Sequence, residues 1–180
     1  RRMSRGHPLA AFHCEQSLGN SCLAACITMT RVRAGTVAAD DAVAHERAVF
    51  TRIADRKAIS YPAVTAEIGV KPYFADFDQP NTIELVKARL ASLREWHIAV
   101  MSGAHLRELH ARASPPPLSR HGLLPGDLGD RHAIVVAGVE SNAFLVLDPW
   151  FLAEYQPWHV GFLDFMRAST GVFFPVSLPA

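Results

Sequence analysis

No stretch of this chain approaches the roughly 18–20 consecutive apolar residues that a membrane-spanning helix requires. Charge of one sign is not in excess: 18 Lys and Arg stand against 17 Asp and Glu, a net +1. Nothing global therefore argues for a nucleic-acid or membrane-surface partner. Cysteine is scarce and odd in number, three in 180 residues, with Cys22 and Cys26 only four apart. That is no disulfide framework, and a reducing compartment is the simpler reading, so a cytoplasmic location is expected. No signal-peptide pattern shows at the N-terminus, where Arg1-Arg2-Met3-Ser4-Arg5 precedes only a short apolar stretch; a chain excised from a longer protein would read the same way. Internal repeats, paired C-x-x-C knuckles and an H-E-x-x-H pattern are all missing. His13, Cys14, Cys22 and Cys26 can be imagined as a zinc set, but two of them sit one turn apart inside an apolar helix, so no metal or cofactor is expected.

What is present is an ordinary globular composition, 49% hydrophobic and 19% charged. The length suits about one domain of roughly 100–200 residues with a core of its own. Charge is uneven along it: from 132 onward Arg167 faces Glu140, Asp148, Glu154 and Asp164, which reads as a solvated acidic surface.

The first half is mainly helical. Cys22 to Val32 reads as a helix with Asn20 and Ser21 as N-cap candidates, Gly35 as its stop, and apolar residues on nearly every side, so it should be central and buried. A second helix is predicted over Ala42 to Ala54 with Val43, Phe50 and Ile53 inward. A third runs from the Ser60 cap to Gly69, and a fourth follows Asn81 with Ile83, Val86, Leu90 and Leu93 at helical spacing. The second half changes character. Ile98 to Met101 is of strand length, and better strands start at His132 and Ala143 around a turn at Glu140-Ser141-Asn142. Phe162 to Ala168 reads as a short helix and Val172 to Phe174 as a last strand, which Pro175 ends or confines to an edge. Between the halves, His105 to Arg112 suits two helical turns, and the run Pro115-Pro116-Pro117 opens a long irregular loop to about residue 130. A loop beyond about 12–15 residues is usually functional or disordered. This one leads into His132, so it is either a strap over a site or a neutral surface insertion.

Four residues carry a possible chemistry. Gln16 precedes Cys22 by six positions, His132 opens a strand-like run, and Asp148 closes the next. A thiol attacks a carbonyl only as thiolate, and a helix N-terminus with a nearby histidine favours that form. His132 can hold the proton and return it to a leaving amine, while Asp148 across the hairpin fixes the imidazole. The Gln16 amide and the Cys22 backbone N–H are candidate donors to an oxyanion.

At these residues the chain resembles the C39-type peptidases, a papain-like family in which Gln-x5-Cys opens the domain and a His strand followed by an Asp-Pro hairpin end completes the catalytic set. The resemblance spans about residues 11–177 and sets 103–131 apart as an insertion. It implies an α+β, papain-like fold: a helical N-terminal half whose nucleophile helix packs on a C-terminal antiparallel β-sheet. It also implies a cysteine peptidase acting on a peptide or protein, with Cys22, His132, Asp148 and Gln16 as its site. In the family's best-known members the domain fronts a peptide exporter and cuts leader peptides, so association with a transporter is implied too. Two departures stand out. Ser21-Cys22-Leu23 replaces the usual Asp-Cys-Gly, and the Cys22 to His132 distance is long. Deamidase, acyltransferase and toxin relatives use the same chemistry, and a non-catalytic peptide-docking module is the reading from another class.

Overall fold

The computed structural model describes residues 6–55, 58–92, 94–113, 116–126 and 130–179. After a 3₁₀ turn at Pro8–Phe12 come α1 (Cys22–Arg33) and α2 (Ala42–Ile53), then the two-residue strands β1 (Ala54–Asp55) and β2 (Ala58–Ile59). The chain continues through α3 (Tyr61–Ile68), β3 (Tyr73–Phe74), α4 (Thr82–Leu90), β4 (Glu95–Ser102) and α5 (Gly103–Ala111). It ends with β5 (Arg131–Glu140), β6 (Ala143–Leu147), β7 (Trp158–Gly161), α6 (Phe162–Ala168) and β8 (Ser169–Ser177). Six strands form one antiparallel sheet in the order β3-β8-β4-β5-β6-β7.

Strand alternation divides the core in two. Trp96, Ile98 and Val100 of β4, with Ala133 and Val135 of β5, face α1, α2 and α3. Ala99, Met101, Ile134, Val136 and Phe173 face the opposite way, toward Val86 and Leu90 of α4, Leu106 of α5 and Phe165 of α6. The helix that opens with Cys22 thus lies on the antiparallel sheet as the sequence predicts, and a second helical layer covers the other face. α1 is buried along Cys22 to Thr30. Ile27 and Met29, fully enclosed, each contribute about 1.5–3 kcal/mol by leaving water. No helix among the described residues is long and apolar enough to cross a membrane.

Some local expectations change. α2 buries Ala42, Glu46, Val49 and Ile53, whereas Val43 is half exposed and Phe50 only partly buried. The inward stripe contains a glutamate, which hid its phase from a hydrophobic pattern. Asn81 occupies the N-cap of α4 in a left-handed conformation without a side-chain cap bond. Leu93 lies outside the described residues. Pro175 neither ends β8 nor sits on an edge strand, because β8 runs to Ser177 and pairs with β4 without a break from Val172 to Ser177. Its other neighbour, β3, reaches only Val172 and Phe173, so the strand tolerates proline where one flank has no strand beside it.

Candidate active site

Three elements converge on one point: the start of α1, the start of β5 and the end of β6. Cys22 is the first residue of α1. Ser21 takes the N-cap position, but its hydroxyl turns back to Leu18, accepting from its N–H and donating to its carbonyl, both at 3.1 Å. No side-chain cap covers the helix start, so its N–H groups and dipole act on the thiol.

His132 and Asp148 come together through the β5–β6 hairpin. Its pairing carries a bulge, since Val136 pairs with Val146 but Gly138 pairs with Leu145, leaving Ala137 without a partner. Val135 pairs with Leu147, so the next position along, Asp148, falls opposite Ile134 and diagonal to His132 on one face. Were the register set at the turn to run on without this bulge, Asp148 would fall opposite Val135 and project to the other side. The imidazole Nε2 of His132 lies 2.6 Å from Asp148 Oδ1. The Trp150 N–H also donates to Oδ1, at 3.0 Å, and the Trp150 ring stands edge-on to the imidazole with centroids 6.1 Å apart. Gln156 clamps the Asp148 backbone, accepting from its N–H at 2.9 Å and donating to its carbonyl at 3.2 Å. His13 Nε2 donates to the same carbonyl at 2.9 Å.

The electrostatics favour a charged pair. Burial works against a Cys22 thiolate, but a hydrogen bond and positive charge from His132, with the backbone at Ala133 and Leu23, outweigh it and hold the thiol below its ordinary value. Burial also opposes an imidazolium, yet the Asp148 charge and hydrogen bond, aided by Cys22, raise His132 to about 10. Asp148 is held below the usual carboxylate range: burial opposes ionisation, and the charge and hydrogen bond of His132 overcome it. With His132 Nε2 committed to Asp148, Nδ1 is left for the thiol. The other two cysteines differ. Cys14 is pushed up to about 12 by burial with Glu46 and Glu15 nearby, and burial raises Cys26 far above a normal thiol.

Gln16 is buried beside this group, its N–H donating to the Pro149 carbonyl at 2.8 Å. One hydrogen of its side-chain amide is used locally, on the Leu18 carbonyl at 2.6 Å. The next residue is anchored by Glu46 of α2, a fully buried carboxylate that accepts from the Ser17 N–H and hydroxyl. From the far side, residues 116–126 cross as a strap. His121 Nε2 donates to the Gln16 carbonyl at 2.8 Å, Trp150 Nε1 to the Gly122 carbonyl at 3.0 Å, and the Leu152 N–H to the Leu118 carbonyl at 3.1 Å. The strap's far end presses on α5, where Gly103 donates to the Asp130 carbonyl and a Cβ would stand 2.7 Å from the Pro125 carbonyl.

All four residues singled out in the sequence therefore lie in one neighbourhood. Missing from that reading are His13, His110, His121, Glu46, Trp150 and Gln156, which belong to no motif. Among the described residues, no three His, Cys, Asp or Glu side chains converge in a way that could hold a metal ion.

This is the architecture of the C39-type peptidase domains. The peptidase domain of Streptococcus ComA, a bi-functional ABC transporter involved in a quorum-sensing pathway, superposes with a TM-score of 0.52 at 11% identity, over 93% of this chain and 98% of that one. A C39-like peptidase from Bacillus anthracis superposes with a TM-score of 0.55 at 10% identity, over 98% of this chain and all of that one. At such identities the likeness is one of fold. No protein-family model matches the sequence, and no curated protein matches it.

Proposed function

We propose that the protein is a cysteine peptidase that cleaves a peptide or protein through a covalent intermediate on Cys22. The observation that carries this reading is the hydrogen-bonded line from the Cys22 thiol at a helix start through His132 to buried Asp148, within a C39-type fold. In the resting state the Cys22 proton resides on His132. The thiolate attacks the scissile carbonyl carbon and the C=O electrons move onto oxygen. That oxyanion is met by the Cys22 N–H and the second hydrogen of the Gln16 amide. Collapse expels the amine, which takes its proton from His132, and leaves a thioester. His132 then draws a proton from water, which attacks the thioester and returns Cys22. Asp148 stays ionised throughout and keeps the imidazole oriented. Leu18, Leu118 and Leu123, exposed on the loop and strap around the site, suit apolar side chains of a peptide. The likeness to a transporter's peptidase domain supports a leader peptide as the substrate and a transporter as the partner.

Iodoacetamide competition tests the core of this reading. Cys22 should label at least about tenfold faster than Cys14 or Cys26 at mildly acidic pH, where ordinary thiols are protonated. Cys22→Ala should abolish cleavage of a peptide library while leaving the fold intact. Equal labelling of the three thiols sinks the proposal.

A further inference from the structure

Asp148 has two carboxylate oxygens, and the arrangement described so far uses one. Oδ1 accepts from His132 and from Trp150. Oδ2 is buried and has no hydrogen-bond partner at normal range, a costly state for an ionised group. The polar atom set against it is Nε2 of His110, 3.5 Å away. His110 lies in the last turn of α5, which follows β4 directly, and its ring is held by Phe151 at 4.4 Å and Trp158 at 4.9 Å between centroids. Two imidazoles thus flank one carboxylate, His132 on Oδ1 and His110 on Oδ2.

We propose that His110 is a positioning residue for the reaction: neutral, with its proton on Nε2, it donates to Asp148 Oδ2 and fixes the carboxylate plane so that Oδ1 stays aimed at His132. This rests on the peptidase reading above. The choice of tautomer follows from what each would leave unpaired. His110 Nδ1 is buried without a partner. With the proton on Nε2, that orphan is an acceptor, and the proton points at a carboxylate. With the proton on Nδ1, a buried donor goes unmet, and two acceptors confront each other across 3.5 Å. The separation of 3.5 Å is longer than an ordinary hydrogen bond, with no other polar atom of the described residues between the two groups' facing edges to satisfy either.

The titratable groups that bear on His110 are few. Asp148 favours its protonation and His132 opposes it, while burial, the largest influence, keeps it below an ordinary histidine and hence neutral. Toward this layer β4 presents Ala99 and Met101 and, nearer its start, His97, which sits against Tyr73 and Glu95. α6 contributes Asp164 and Arg167, but these line the outer groove with Arg112, to which Asp164 is paired. Losing the donor leaves the Asp148 charge worse supported and the carboxylate free to turn, so the imidazolium partnering the Cys22 thiolate loses stability.

The test is the pH dependence of Cys22 alkylation by iodoacetamide, followed by peptide mapping, in the wild type, His110→Phe and His110→Gln. His110→Phe fills the pocket without a donor, and its acid limb should move up by roughly half to one pH unit, a 3–10-fold loss of rate on that limb. His110→Gln can still donate and should stay near the wild-type curve. A His110→Phe profile that superimposes on the wild type or moves down overturns the proposal, as does equal behaviour of the two variants. Long-range nitrogen–proton NMR of the wild-type imidazoles gives an answer that no variant's folding can obscure: the Nε2–H form of His110 is expected, and the Nδ1–H form overturns the assignment. Failure of the wild type to label selectively at Cys22 removes the peptidase reading itself, an outcome distinct from either of these.

Discussion

Three thiols in this chain sit in three different fields, and only one is pulled toward its anion. Cys26 lies one turn deeper in α1 than Cys22, fully enclosed, and burial, with the negative charge of Cys22, Asp148 and Cys14 added to it, drives it away from the anion. Cys22 shares that burial but gains His132 and the open helix start. The imidazole in turn owes its raised basicity to Asp148. Asp148→Asn should therefore keep the hydrogen-bond geometry but remove the charge, lowering kcat by about 10²–10⁴-fold with KM little changed. Steady-state kinetics on a peptide substrate check this, and a KM effect with kcat intact contradicts it. These residues were legible in the sequence because their spacing along the chain matches a helix start and a hairpin. His13, His110 and His121 were not legible. Each acts on a carbonyl or carboxylate from 38 to 135 positions away, and no local pattern announces a contact of that range.

At the scale of elements, the helices under the site are tied by one carboxylate. Glu67 of α3 receives Arg31 of α1 at 2.7 Å and Arg52 of α2 at 2.8 Å, with its side chain 11% exposed. The Arg52 hydrogen bond, helped by Arg31 against some burial, lowers its pKa from 4.5 to about 2. A depressed carboxylate stabilises the fold above its unfolded value and loses that stabilisation as pH falls through the folded one. Glu67→Gln should thus cost about 1–2 kcal/mol at neutral pH, and wild type and variant should converge as the pH approaches 2. Denaturant titrations at several pH values test it, and a gap that is constant with pH contradicts it. Helix positions could be read from caps and periodicity, as for α1 and α3. Their facing could not always be read. Glu46 and Val49 set the inner side of α2 because Ser17 needs a carboxylate there, a requirement of tertiary structure. The short strands β3 and β7 escaped notice because their residues gain strand geometry only from the partners β8 and β6.

For the molecule as a whole, the open question in the sequence was whether residues past the proline run form a strap or a neutral insertion. The described part, 116–126, is fastened to Gln16, Trp150 and Leu152, and α5 delivers His110 to Asp148. Arg120 in that strap is well exposed, so trypsin reports on its release. His121→Ala should speed cleavage after Arg120 by about tenfold, the effect of losing one hydrogen bond of roughly 1–1.5 kcal/mol, with only a small change in Tm. Mass spectrometry of timed digests measures it, and an unchanged rate means that His121 does not fasten the strap. The unpaired Ala137 carries a different lesson. Because side chains alternate across a strand, the hairpin imposes an even–odd rule on the chain between His132 and Asp148: with a two-residue turn, an odd interval sets both on one face of a regular ladder, and the even interval here does so only because the bulge at Ala137 takes up one residue. Motif spacing in such hairpins is thus a matter of parity before it is one of distance: with the same turn, a His-to-Asp interval one residue shorter or longer makes the pair on a regular ladder, and this chain's interval without a bulge does not.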